Sequence, residues 1–260
     1  MNSRLFYNTE NIPMRKHFLL VLTILAVSSL SASRPVDLVK YVNTLQGTNS
    51  KFELTRGNTY PTTALPFGMH TWTPQTGVNG DGWKYQYFLD SIRGFQQAHQ
   101  CSSWSNDYCV FSLMPVTGKL ALDQYARAAR FSHDNEIGKP NYYKVQLDNK
   151  ITTEIAPTER GAHIRFSFPG RSQSFVVLDG YTGMSHVKII PEKNRIVGYV
   201  RNGRRLQEDL KSYFVIQFDK PIRSYGIWEN RENQQWDGET EREGRGTGAW
   251  VRFDNGVKVQ

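Results

Sequence analysis

HIRFSFPG, residues 163–170, alternates polar and apolar side chains and then reaches a proline and a glycine. The polar residues stand at 163, 165 and 167, and the apolar residues stand at 164, 166 and 168. A period of two places alternate side chains on opposite faces of a β-strand. One face is therefore predicted to lie in a core and the other in water. The proline and glycine that follow are turn formers.

Similar short runs recur along the rest of the chain, and turn formers separate them. Residues 176–178, 214–218 and 250–253 carry the β-branched and aromatic side chains typical of strands. The turn signals are Asp148-Asn149-Lys150, Phe168-Pro169-Gly170, Asn202-Gly203 and Asp254-Asn255-Gly256. Each is predicted to close an antiparallel hairpin, and no long amphipathic helix is indicated. The sequence therefore predicts an all-β fold, a large antiparallel β-sandwich of two sheets.

The N-terminal residues have the pattern of an export signal. Arg15 and Lys16 precede an apolar run at 18–27, and small residues follow at 31–33. Residues 1–33 are therefore predicted to be a signal peptide, with Met14 as an alternative start, and residues 34–260 to be one domain. The apolar run is too short for a permanent membrane span. A secreted or periplasmic protein is expected.

The formal net charge of +8 does not point to a nucleic-acid partner. Nucleic-acid binding requires clustered basic side chains, whereas lysine and arginine here are interleaved with acidic residues. The densest basic run is Arg201-Asn202-Gly203-Arg204-Arg205, which is better explained as a solvated turn.

Two cysteines, Cys101 and Cys109, flank a short polar loop. In an exported chain they could form a disulfide, although spacing alone does not establish the required approach. With His99 they also have the residue types of a zinc site. The paired spacings typical of such sites are absent, so no metal site is predicted.

Several motifs in order resemble the N-terminal domain of glycoside hydrolase family 92, the calcium-dependent exo-acting α-mannosidases. The front of the pattern is GNTYP at 57–61, ALPFGM at 64–69 and IRGF at 92–95, with His99 four residues later. Later matches are residues 131–133, 142–145, 154–160 and 213–218. The resemblance covers nearly all of the chain after the signal peptide.

The resemblance implies a β-supersandwich of the galactose-mutarotase type. In the family a helical (α/α)6 barrel follows and supplies the catalytic acid, the base and most of the calcium site. No catalytic residue is therefore predicted in this chain, and no cofactor is expected to bind to it alone, although calcium is expected for a full-length enzyme. Residues 257–260 have the pattern of a strand, and the sequence stops within it. A truncated or split product that is inactive alone is therefore expected.

The family resemblance also implies that loops of this domain form one wall of the sugar pocket, on the leaving-group side. The candidate loop is residues 99–108. Trp104 is predicted to stack on a sugar ring, and His99, Asn106 and Asp107 to bond hydroxyl groups. A purely structural role, with Trp104 partly buried and Asp107 capping a turn, is the alternative. Cys101-Ser102-Ser103-Trp104-Ser105 replaces the glycine-rich loop common in the family, and Thr44-Leu45-Gln46 replaces a proline and an apolar residue.

Three functional hypotheses follow from this sequence. The first is the N-terminal domain of an exported α-mannosidase whose substrate is an α-mannoside or another glycan. The second is a stand-alone carbohydrate-binding module that uses Trp104 and its neighbours. The third is one subunit of a split glycosidase, completed by a separately encoded helical catalytic domain; such a subunit would expose a large apolar face.

Overall fold

The structure, a computed structural model, describes residues 36–51, 53, 59–65, 68–80, 82–99, 107–203, 207 and 209–260. The chain divides into two units, Met1–Leu38 and Val39–Gln260. The architecture below is that of the second unit. Within the described ranges, no helix has the length and apolar character needed to cross a lipid bilayer.

Nearly all regular structure is β-strand, apart from two 3₁₀ turns at Leu38–Tyr41 and Pro191–Lys193. The strands are β1 (Thr71–Gln75), β2 (Ser91–Ile92), β3 (Gly94–Ala98), β4 (Ser112–Thr117), β5 (Ala129–Lys139), β6 (Tyr142–Leu147), β7 (Thr152–Pro157), β8 (Ala162–Ser167), β9 (Ser174–Asp179), β10 (Met184–Ile190), β11 (Arg195–Arg201), β12 (Ser212–Gln217), β13 (Ser224–Glu229), β14 (Gln234–Asp237), β15 (Glu241–Arg245), β16 (Thr247–Phe253) and β17 (Lys258–Val259).

The strands form three sheets rather than the two predicted. A seven-stranded sheet has the order β1-β3-β4-β9-β16-β13-β14, a four-stranded sheet the order β12-β11-β10-β15, and a six-stranded sheet the order β17-β8-β7-β6-β5-β2. Neighbouring strands in the three sheets run antiparallel. The predicted all-β antiparallel sandwich is therefore confirmed, with an additional small sheet.

One hydrophobic core joins the sheets. Phe95 of the seven-stranded sheet packs against Tyr143 and Phe166 of the six-stranded sheet, with ring centroids 6.2 and 6.4 Å apart. Against the four-stranded sheet, Phe111 packs on Phe214, with ring centroids 5.0 Å apart. Every residue of the central strand β9 is buried, so both faces of the sheet are covered at this strand. The seven-stranded sheet thus packs against both of the other sheets.

The predicted alternation of residues 163–168 appears in β8. His163 and Arg165 are exposed, whereas Phe166 and Phe168 are buried. The period of two therefore reports a strand with one face in the core.

Two of the four predicted hairpins are connections between sheets. Residues 148–150 join β6 to β7, which pair, and residues 202–203 lie between β11 and β12, which also pair. Residues 168–170 instead lead from the six-stranded to the seven-stranded sheet, and residues 254–256 lead back again. The prediction that the last turn folds residues 257–260 onto 250–253 is wrong, because β16 already has β9 and β13 on its two sides. β17 pairs with β8.

Candidate functional site

The candidate loop is closed at its base by Asp107. The Asp107 carboxylate accepts hydrogen bonds from the backbone N–H of His99, at 3.0 and 3.2 Å, and from its neighbour Tyr108 at 2.8 Å. The Lys84 ammonium lies 3.2 Å from the same carboxylate, and both side chains are only 2% exposed. The two ends of the loop are therefore tied to one buried ion pair.

Asn202 provides a second anchor, at the end of the loop that leads into β4. Its side-chain amide accepts a hydrogen bond from the Val110 N–H at 2.8 Å and donates to the Val110 carbonyl at 2.6 Å. It also donates to the Gly180 carbonyl at 3.0 Å, while its backbone carbonyl accepts from the Cys109 N–H at 2.8 Å. Cys109 has a φ of 51°, a left-handed conformation that residues other than glycine seldom adopt. These contacts hold the backbone that leaves the loop.

The largely buried ring of His99 lies against the loop base. Its imidazole stacks on Tyr108 and meets His70 edge to face, with both centroid distances 4.9 Å. Burial lowers the pKa of His99, and the nearby Asp107 carboxylate, which acts in the opposite direction, does not compensate. Its Nδ1 is 3.9 Å from the Asp107 carboxylate, which is too long for a hydrogen bond. A neutral imidazole offers one donor and one acceptor to a hydroxyl-bearing ligand.

A polar cavity of about 280 Å³ lies beside the loop base. Asp107, Lys84 and Asn202 line it, together with the amide side chains of Gln75 and Gln96. Gln75 ends β1 and Gln96 lies near the start of β3, and the two strands pair, so both amides come from one end of the seven-stranded sheet. The Gln75 amide is itself engaged, since it donates to the Gly77 carbonyl and the Asn79 side chain and accepts from the Tyr181 hydroxyl. Polar groups held in fixed positions of this kind are typical of the walls of sites that bind hydroxyl-bearing ligands.

A second polar cavity, of about 550 Å³, shares Thr182 with the first. Its wall includes Asp179, which is ion-paired with the buried Arg127. The Asp179 carboxylate also accepts from the Asn79 side chain at 2.8 Å and from the Tyr181 N–H at 2.8 Å. Arg127 and Asp179 are not predictable from the sequence, since nothing in their local sequence marks residues so far apart as partners.

The structure brings together two of the four predicted site residues. His99 and Asp107 meet at the loop base, where the Asp107 carboxylate accepts hydrogen bonds from backbone N–H groups, and the predicted sugar-binding roles of both residues stay predictions. Trp104 and Asn106 lie outside the described residues, so their predicted roles stay predictions. Cys101 also lies outside them, and the proposed disulfide with it. Burial raises the pKa of the Cys109 thiol.

Metal-ligating side chains are not clustered among the described residues. Among them, no three side chains of histidine, cysteine, aspartate or glutamate come close enough together to hold a metal ion. Calcium normally takes six to eight oxygen ligands. Of the acidic groups at the cavities, Asp107 and Asp179 are each engaged with a buried cation and with backbone N–H groups, and Asp123 accepts hydrogen bonds from the backbone N–H groups of Tyr125 and Ala126.

The chain is similar to known proteins over almost the whole of the described fold. The family model of the glycosyl hydrolase family 92 N-terminal domain matches residues 41–260. The solved structure of a family GH92 inverting mannosidase from Bacteroides thetaiotaomicron VPI-5482 is 38% identical and has a TM-score of 0.83, over 88% of this chain and 31% of that one. A family GH92 alpha-mannosidase from Bacteroides thetaiotaomicron shares the fold, with 24% identity and a TM-score of 0.70 over 85% of this chain and 32% of that one.

A curated relative, an uncharacterized secreted glycosidase from Arthroderma benhamiae, is 26% identical over 163 residues, which is 60% of this chain and 20% of that protein. The chain thus spans about a third or less of the length of these relatives. The resemblance inferred from the motifs is confirmed. With a family model that covers residues 41–260, this chain belongs to the glycosyl hydrolase family 92 N-terminal domain family.

Proposed function

We propose that this chain acts as the N-terminal β-sandwich domain of an exported α-mannosidase. Loop 99–108 forms the leaving-group wall of its sugar pocket. The observation that carries the proposal is the double anchoring of that loop, by Asp107 with Lys84 and by Asn202, beside a polar cavity. Fixed ends help a binding loop, because they lower the ordering cost of ligand binding.

The remaining parts of the enzyme are assigned to a helical catalytic domain. That domain would hold the acid, the base and the calcium ion, and this chain alone would not hydrolyse mannosides. Inverting glycosidases need two carboxyl groups about 6.5 to 9.5 Å apart, with room for water between them. Asp107 and Asp179 are both committed to buried ion pairs, so neither is assigned that role. The N-terminal signal pattern and the secreted relative support a secreted or periplasmic location.

The first test is titration calorimetry of the purified chain with mannose and with α-linked mannobiose, in calcium and in chelator. The proposal predicts no binding heat from a folded sample and no turnover of α-mannosides. Calcium-independent binding that is lost in Trp104→Ala would instead establish a stand-alone carbohydrate-binding module. Phe88→Ala is the matched control, because Phe88 is an exposed aromatic residue outside both polar cavities.

A chimera tests the loop directly. In this chimera, the present chain takes the place of the matching domain in the inverting mannosidase with which it shares 38% identity. Trp104→Ala in the chimera should lower kcat/KM for α-mannobiose roughly tenfold, since one sugar–aromatic stacking contact is lost. Turnover of α-mannosyl fluoride, which has no leaving-group sugar, should change little. An equal loss on both substrates would contradict a role on the leaving-group side.

A further inference from the structure

The four-stranded sheet turns one face toward the core and the other toward solvent. Side chains along β10 alternate between buried and more exposed positions, and the strand register carries this alternation to the neighbouring strands. We call the solvent side the outer face. It consists of the even-numbered residues 184–190 of β10, the odd-numbered residues 195–201 of β11 and 211–217 at β12, and residues 241, 243 and 245 of β15.

One row across the outer face is aromatic. Tyr213 of β12 pairs with Tyr199 of β11, which pairs with His186 of β10. The ring centroids of Tyr213 and Tyr199 are 5.8 Å apart, and those of Tyr199 and His186 are 5.7 Å apart. Tyr199 is only 7% exposed, whereas Tyr213 is 75% exposed. The Tyr213 ring is therefore supported by its neighbours and open to a ligand.

A basic row runs beside the aromatic one. Arg201 of β11 pairs with Met184 of β10, which pairs with Arg245 of β15. Lys211 directly precedes β12 and continues the row on the other side of Arg201. The Lys211 ammonium lies 4.1 Å from the centroid of the Tyr199 ring, a cation–π contact that holds it against the aromatic row. Three cations thus follow one line across the strands.

The charges of the basic row are not balanced by carboxylates of the outer face. The acidic residues of this face, Glu241 and Glu243, both lie on β15, and Glu241 is paired with Lys188. In the part of the chain that the structure describes, no ion pair includes a residue of the basic row. Arginine stays charged at any physiological pH. The row therefore presents a net positive charge to solvent.

The two rows together match a linear glycan that carries a negative charge on each unit. A sugar ring has an apolar face that can lie on a tyrosine ring, and carboxylates pair strongly with arginine and lysine. Neighbouring strands lie about 4.8 Å apart, which is close to the length of one sugar unit. A glycan that crosses the strands would therefore keep its carboxylates in step with the basic row.

Single-stranded nucleic acid fits the outer face less well. Nucleic acid is bound by aromatic side chains on which successive bases stack. Of the three rings in the aromatic row, only Tyr213 is widely exposed. One open ring beside a line of cations favours a sugar polymer with a charge on each unit.

We propose that the outer face binds an anionic polysaccharide, a linear chain of uronic-acid units. The chain crosses the strands between the two rows, with one sugar ring on Tyr213 and carboxylates on Lys211, Arg201 and Arg245. The glycan is bound at this face and not cleaved there. The site goes beyond the mannoside role proposed above, because it attaches the domain to an acidic glycan surface.

The first experiment measures binding of a fluorescent oligogalacturonate to the purified chain by anisotropy, in calcium-free buffer. An oligomer of about six units is long enough to cross the four strands. Binding is expected, and it should weaken as sodium chloride is raised from about 20 mM to about 200 mM, because salt screens exposed charges. The methyl-esterified oligomer has the same rings without the charges and should bind at least about tenfold more weakly.

Two results of this experiment would overturn the proposal. One is the absence of oligogalacturonate binding by a folded sample, or equal binding of its methyl ester. The other is equally tight binding of an oligodeoxythymidylate, which would identify a general polyanion surface.

A charge variant locates the site. The double variant Lys211→Gln and Arg245→Gln removes two cations from the basic row and should weaken oligogalacturonate binding about tenfold. Lys119→Gln is the matched control, because Lys119 is an exposed lysine in the connection after β4, outside the outer face. Equal weakening per charge in the control would show that binding follows net charge alone and would refute this location.

A ring variant tests the stacking contact. Tyr213→Ala should weaken binding about fivefold, since one sugar–aromatic contact is lost. Tyr213→Phe keeps the ring and should bind like the unmodified chain. Equal affinities of Tyr213→Ala and Tyr213→Phe would contradict stacking on this residue.

The chimera described above shows whether the outer face stays accessible beside a catalytic domain. Oligogalacturonate should bind to the chimera with the same affinity, and α-mannobiose should not compete with it. Loss of binding in the chimera would mean that the catalytic domain covers this face and would overturn the proposal. Unchanged oligogalacturonate binding in a chimera that does not hydrolyse mannosides would support the outer face and count only against the mannosidase role.

Discussion

At the scale of single residues, the buried pair of Lys84 and Asp107 holds the candidate loop. Removing one partner leaves the other charge buried, at a cost of about 3–5 kcal/mol. We therefore expect Asp107→Ala and Lys84→Ala each to lower the free energy of unfolding by about that amount, and the double variant to lose less than the sum. Urea unfolding at neutral pH measures all three.

The control for these three variants is the surface ion pair of Arg130 and Asp90, whose side chains are 72% and 58% exposed. Because water screens such a pair, Arg130→Ala should cost about 0–1 kcal/mol. Additive effects of Asp107→Ala and Lys84→Ala would show that the two side chains do not act as a pair.

His70 and His99 make the loop base sensitive to acid. Burial lowers the pKa of both imidazoles, so the folded state favours their neutral forms. Their contribution to stability is complete above the ordinary histidine pKa of about 6.5 and is lost as pH falls through the lower folded values. Unfolding free energy should therefore fall between about pH 7 and pH 5. His99→Gln should flatten that slope in urea titrations; an identical slope in the variant would contradict this assignment.

At the scale of elements, two connections between sheets pack on one another. Gly256 has a φ of 62°, and a Cβ added there would overlap the carbonyl oxygen of Gly170 in the other connection. Gly118 has a similar φ of 80° but no atom within 4 Å of an added Cβ. Alanine substitutions at Gly118 and Gly256 can therefore separate the cost of backbone strain from the cost of steric overlap.

Gly118→Ala should lower the free energy of unfolding by about 1–2 kcal/mol, the cost of a left-handed alanine. Gly256→Ala bears the same strain and must also displace the Gly170 backbone, so its loss should be clearly larger. Chemical denaturation of both variants tests this. Equal losses would mean that the two connections move apart freely.

The strands and turns also show how much of the fold can be predicted from local sequence. The alternation at residues 163–168 predicted β8, because burial on one face leaves a local signature. The turn at residues 254–256 was predicted to close a hairpin, whereas β17 crosses to the other sheet. Turn formers specify that the chain changes direction, and which edge is free to accept the next strand depends on neighbours distant in sequence.

At the scale of the whole molecule, the family and the all-β class followed from ordered motifs and periodicity. The third sheet, the ion pair of Arg127 with Asp179 and the anchoring by Asn202 did not. Each of these joins segments tens of residues apart, and the side chains concerned have no distinctive local pattern. Of the candidate site, the sequence singled out the loop and named His99 and Asp107 in it, but it did not predict their contact, the Lys84 partner or the adjoining cavities.

The anchoring of Val110 by Asn202 also sets an order of assembly. The two residues are 92 positions apart, and contacts of such long range form slowly because the entropy of closing a long loop is lost before the contact stabilises the chain. During synthesis, which proceeds from the N-terminus, the loop leaves the ribosome well before the strand that secures it. The loop base is therefore completed only after β10 and β11 have docked, which makes the candidate site a late product of folding and a sensitive reporter of its completion.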